Sequence, residues 1–168
     1  MVSEDYLQGV DVFEGLGRDE IERLLTLCEE LTWEGDTTVF AEGDPARFLY
    51  VLVTGRVDLR LRLRLFKRRF FVTKEDRSRE LTVTSVPQAK AFGWAALTKP
   101  SEYEVSAHCL EPCQLIRIDG EKLLAHCQQF PQTGFYVMRN LATIISQRLK
   151  AHRQQLEKEV EAQQSRWW

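Results

Sequence analysis

At 168 residues the chain has room for one domain with an appended helix, and its 43% hydrophobic fraction suits a chain that builds a core. A formal net charge of −2 excludes a global pull toward nucleic acid or an anionic membrane, so such binding would need a local patch. No apolar run reaches the roughly 18 residues that span a bilayer, and Met1-Val2-Ser3-Glu4-Asp5 puts no basic region before an apolar stretch, so a cytoplasmic protein without a membrane span is expected.

Residues 1–31 are predicted to be a helical N-terminal segment. Asp11-Val12-Phe13 and Gly15-Leu16-Gly17 lead into a predicted helix from Arg18 to Leu31, with Ile21, Leu24, Leu25 and Cys28 at helical spacing. Asp19 and Glu20 fall in its first turn, where the helix dipole favours acidic groups. From 32 to 119 the texture changes: short apolar runs alternate with Glu34-Gly35-Asp36, Glu42-Gly43-Asp44-Pro45 and Thr54-Gly55, which argues for a β-barrel or sandwich. Tight turns between strands often need a positive φ, and Gly43 and Gly55 supply residues that accept it without penalty.

The predicted strand from Val57 to Leu65 places Leu59, Leu61 and Leu63 on one face and Arg60, Arg62 and Arg64 on the other. Lys67, Arg68 and Arg69 follow, within a segment at about 66–79 that reads as a lengthened hairpin. This basic cluster has two readings: a solvated strand face with a charged, edge-protecting turn, or a surface for anions or an acidic protein partner.

Residues 120–168 are predicted to be helical and to dimerise. From Pro131 to about Ala162, Met138, Leu141, Ile145, Leu149, His152, Leu156 and Val160 recur at three- and four-residue steps, a heptad-like stripe suited to a homodimer seam. Arg148, Lys150 and Arg153 read as charges on its other faces. Trp167-Trp168 has no physical account beyond a docking tag. Cys28, Cys109, Cys113 and Cys127 include no C-x-x-C pair, and Leu115-Ile116-Arg117-Ile118, read as a strand between them, argues for reduced, buried thiols and no metal site. No G-x-S-x-G or P-loop is present, so no enzyme activity is expected.

Val39-Phe40-Ala41-Glu42-Gly43-Asp44-Pro45-Ala46, then Phe48 to Val57, then Phe92-Gly93-Trp94-Ala95-Ala96-Leu97 and Val105-Ser106-Ala107 occur in an order and spacing that resembles the cyclic-nucleotide-binding domain family, from about Val12 to Leu149. The resemblance implies a jelly-roll barrel flanked by helices, a phosphate-binding cassette at 92–107, and a long C-terminal helix that often forms a dimer seam. In catabolite-activator-like members a helix-turn-helix domain follows that helix. This chain ends at Trp168, so sequence-specific DNA binding is not expected.

The family's cassette runs Phe-Gly-Glu-x-Ala-Leu and later Arg-(Ala/Ser)-(Ala/Ser/Thr), with the Glu on the ribose hydroxyl and the Arg on the cyclic phosphate. Here those positions are Trp94 and Val105. Gly93, the amides of Trp94, Ala95 and Ala96, and the Ser106 hydroxyl keep part of an anion cradle, whereas both charged contacts are gone. Lys90 or Lys99 are conceivable replacement cations at the rim. Trp94 either fills the vacated volume or stacks on an aromatic ligand; a cyclic nucleotide held weakly, or another small anionic ligand, is the candidate occupant. The expectation is a regulatory module with an altered pocket. A ligand-free dimeric scaffold using the basic strand is the alternative.

Overall fold

The computed structural model describes residues 3–64 and 78–164. Two short N-terminal helices, α1 (Glu4–Gln8) and α2 (Arg18–Leu25), bracket a 3-10 turn at Asp11–Phe13. Eight strands follow among the described residues: β1 (Cys28–Trp33), β2 (Thr37–Phe40), β3 (Phe48–Thr54), β4 (Val57–Arg64), β5 (Ser78–Val86), β6 (Ala91–Phe92), β7 (Ser106–Cys109) and β8 (Cys113–Asp119). A one-turn 3-10 helix at Trp94–Leu97 sits between β6 and β7, and α3 (Gly120–Gln129) and α4 (Pro131–Gln164) close the chain.

The strands form two four-stranded antiparallel sheets, ordered β1-β8-β3-β6 and β2-β7-β4-β5, which face each other as a jelly-roll barrel. Period-two alternation explains how the first sheet is buried on both faces. Tyr50 and Leu52 of β3, with Cys113 and Leu115 of β8, point into the barrel. Leu49, Val51, Ile116 and Ile118 point the other way, onto Leu7, Phe13, Ile21, Leu24 and the buried residues of α3 and α4. The helices therefore complete a second core.

The helix expected to run to Leu31 stops at Leu25. Thr26 ends it, its hydroxyl donating to the Arg23 carbonyl at 2.7 Å. Cys28 to Trp33 then pair residue by residue with β8, from Cys28 opposite Ile118 to Trp33 opposite Cys113. Four well-spaced apolar residues satisfy a helix locally, but the ladder to β8 gives this segment both its backbone hydrogen bonds and a covered face.

The N-terminal segment is fastened to the barrel and to α4 by polar contacts. Tyr6 donates its hydroxyl to the Leu52 carbonyl at 2.9 Å. Asn140 of α4 donates to the carbonyls of Glu14 at 2.8 Å and Val12 at 3.3 Å, so a buried amide fixes the rotation of α4 about its axis. Val137, Leu141 and Ile144 on the same side of α4 enter the core. Leu141, read from the sequence as a seam residue, is only 5% exposed, because three- and four-residue steps run along two adjacent faces of one helix and packing turned the Leu141 face into the core. Leu156 has its backbone within α4, but its side chain lies outside the described residues, as do Lys67, Arg68, Arg69 and the Trp167-Trp168 pair.

Candidate functional site

The segment 92–107 is built from the barrel outward. Phe92 is fully buried and packs its ring on Tyr50 at 5.5 Å between centroids. Gly93 turns the chain with φ 75°, and the Ala96 amide donates back to its carbonyl at 3.2 Å, making the single turn Trp94–Leu97. Ala96 and Leu97 are buried, and Ala96 meets Gly120 at the start of α3, where a side chain would collide with the Ala96 backbone. The cassette is thus wedged against α3.

Past the cis Lys99–Pro100 bond, Tyr103 lies flat on Phe40, centroids 3.7 Å apart, and its hydroxyl donates to the Phe48 carbonyl at 2.8 Å. Burial pushes the Tyr103 phenol well above its ordinary range. Ala107 is fully buried. The Ser106 hydroxyl accepts from the Glu42 amide at 2.9 Å, tying β7 to the turn after β2.

Between this segment and α4 lies a cavity of 330 Å³. Of the nine residues read from the sequence as the pocket, Gly93, Trp94, Ala95 and Val105 line it. Phe92, Ala96, Leu97 and Ala107 support it from the core. The Trp94 indole forms a wall and leaves the cavity open beside it. Among the residues that sequence reasoning did not place here, three come from α4: Ile145, Arg148 and His152, whose spacing of three and four puts them on one helix face.

Arg148 was read as an outward charge, but it is half-buried. Its guanidinium carbon sits 4.3 Å from the Trp94 ring centroid, and Nη2 donates to the Ala91 carbonyl at 3.3 Å. Burial holds its pKa below the usual arginine value, opposed by the nearby Asp11 carboxylate. Asp11 in turn accepts from the Ala91 amide at 3.1 Å, so the strand entering the cassette is gripped from the N-terminal segment and from α4. Lys90 instead pairs with Asp11 at 3.7 Å, and neither Lys90 nor Lys99 lines the cavity. The signal in the sequence that could have found Arg148 is its helical register with Ile145 and His152.

The basic strand is only partly free. Arg60 pairs with Glu80 of β5 at 3.6 Å, and Arg62 lends its backbone amide to the Glu42 carboxylate at 2.9 Å while its side chain is exposed. Arg64 lies in β4 with its side chain outside the described residues. Cys109, Cys113 and Cys127 are buried and Cys28 half-buried, and no disulfide joins them. Among the described residues no group of three or more His, Cys, Asp or Glu could hold a metal ion, and no helix is long and apolar enough to cross a membrane.

Comparison with known proteins gives the arrangement its context. The cyclic AMP receptor protein of Thermus thermophilus is 25% identical over 144 residues, 86% of this chain and 59% of the relative, so the chain spans less than two thirds of that protein. A crystal structure described as a cyclic nucleotide-binding protein from Geobacter metallireducens is 26% identical, covers 89% of this chain and 99% of its own, and superposes with a TM-score of 0.70. A cyclic nucleotide-binding domain from Methylobacillus flagellatus, at 15% identity, shares the fold with a TM-score of 0.76 over 93% of this chain and 85% of its own. Residues 30–130 match the cyclic nucleotide-binding domain family, and the chain belongs to that family.

Proposed function

We propose that this chain is a non-catalytic regulatory module that senses a small molecule in the cavity under the cassette, and that it does not hold cyclic AMP or cyclic GMP by the family's usual contacts. One observation carries the reading. The two cavity-lining positions that resemble the ribose and phosphate contacts are Trp94 and Val105. Indole has one donor and no acceptor for a ribose hydroxyl, and an isopropyl group cannot meet a phosphate. A charge-assisted pair of the lost kind contributes about 1.5–3 kcal/mol, so losing both contacts weakens cyclic-nucleotide binding by roughly two to three orders of magnitude or more.

The cavity is closed on one side by α4, so an occupant touches the helix directly through Ile145, Arg148 and His152. Occupancy then biases how α4 packs, by no more than the ligand's difference in affinity for the two arrangements. The same helix exposes Phe135, Met138, Ile145 and Leu149, which supports a homodimer formed through α4 as the output of the module. Calorimetric titration of the full chain with cyclic AMP and with cyclic GMP tests the reading. No saturable heat at micromolar nucleotide is expected, and a micromolar Kd for either would refute it.

A further inference from the structure

We infer that the cavity takes a small monoanion with a flat apolar body, such as an aromatic carboxylate or sulfonate, and that Arg148 on α4 reads the acid group. The inference rests on the cavity being a ligand site, as proposed above. Phe40, Leu59, Val83, Val105 and Ile145 give the cavity an apolar lining that suits a hydrocarbon or aromatic body.

Arg148 supplies the polar handle. A guanidinium carries five N–H donors. Among the described residues Arg148 makes one hydrogen bond, to the Ala91 carbonyl, and one ring contact, to Trp94, and no carboxylate lies within 4.0 Å of it. A half-buried cation with spare donors on a cavity wall is a receptor for a planar acid, which it can grip bidentately. Burial is costly for it and the Asp11 carboxylate offsets only part of that cost, so a bound anion lowers it further.

The rim sets the charge of the ligand. Glu102 and Glu104 are exposed residues at the cavity and repel a second negative group, so a monoanion is favoured over a dianion. His152 lies one turn beyond Arg148 on the same helix face. Anion recognition therefore comes from the α4 side of the site, while Val105, just before β7, contributes only apolar surface. A ligand's charge would hold α4 to the cassette, and a neutral analogue of the same shape would bind without doing so.

The experiment compares two dyes on the full chain by fluorescence titration. 1-Anilinonaphthalene-8-sulfonate has aromatic rings and one sulfonate, and N-phenyl-1-naphthylamine has the same rings without the acid. Arg148→Gln is expected to weaken the sulfonate dye about tenfold or more and leave the neutral dye unchanged. Arg148→Lys keeps the charge and should restore most of the sulfonate affinity. Val105→Trp fills the cavity from the barrel side and should abolish both dyes. If dye binding survives Val105→Trp, or neither dye binds the parent chain, the cavity is no ligand site and both this inference and the sensing function fall. If both dyes bind in the cavity and Arg148→Gln weakens them equally or not at all, the anion assignment alone is overturned.

Discussion

Gly43 and Gly55 share a backbone conformation but not an environment, and replacing each with alanine separates two costs. Their φ angles are 87° and 91°. A Cβ at Gly43 would meet nothing within 4 Å, whereas at Gly55 it would stand 2.6 Å from the Pro112 carbonyl oxygen and 2.7 Å from the Cys113 sulfur. Gly55 joins β3 to β4 and so passes the chain from one sheet to the other, beneath the start of β8. A left-handed conformation costs an alanine about 1–2 kcal/mol, and forcing a methyl into packed backbone adds about 1–3 kcal/mol.

Gly43→Ala should therefore cost about 1.5 kcal/mol and Gly55→Ala about 3.5 kcal/mol. At roughly 3 °C per kcal/mol for a chain of this size, the expected falls in Tm are about 5 °C and about 10 °C. Urea unfolding gives the two free-energy differences and calorimetry the two temperatures. Equal losses at the two positions would refute the packing argument, since strain alone would then account for both.

Three other outcomes follow from the same geometry. Phe135 is 62% exposed and Leu149 70%, so Leu149→Glu should convert the proposed dimer to a monomer in sedimentation without lowering Tm, while Leu141→Ala, inside the core, should cost about 2–5 kcal/mol in urea unfolding. Burial, then the Arg23 charge, lowers the pKa of His126, and its Nε2 is buried without a partner. The unfolded chain therefore binds the proton more readily, so stability should be full above about pH 6.5 and decline as pH falls toward the lowered folded value. His126→Gln should flatten that decline in urea midpoints measured across the window, and an unchanged slope would exclude the assignment. Burial pushes the Cys28 and Cys109 thiols up to about 12 and raises Cys127, so iodoacetamide at neutral pH should leave them unlabelled in the folded chain and label them in guanidinium chloride, as read by mass spectrometry.

Much of the barrel was legible because its signals are local. The Gly-Asp turn, the Thr54-Gly55 turn and alternating strands such as Val57–Arg64 each announce themselves within a few residues. The end of α2 was not legible, because Cys28 and Leu31 continue a helical spacing that only the ladder to β8 overrules. The cassette was half legible. Gly93, Trp94, Ala95 and Val105, singled out by their order, line the cavity, whereas the hydrogen bond that the Ser106 hydroxyl accepts from the Glu42 amide had no signal in the sequence.

Residue order alone pointed to the type of fold and put Trp94 and Val105 where the family it resembles carries two charged side chains, because neither reading depends on what lies far away in the chain. Only the tertiary structure decided which face of α4 meets the barrel. Val137, Leu141 and Ile144 pack inward, Asn140 locks the helix to the carbonyls of Val12 and Glu14, and that rotation carries Arg148 to Trp94. A helix with apolar residues on adjacent faces has several rotations of similar local merit, so its charged residues acquire a place only when the core selects one.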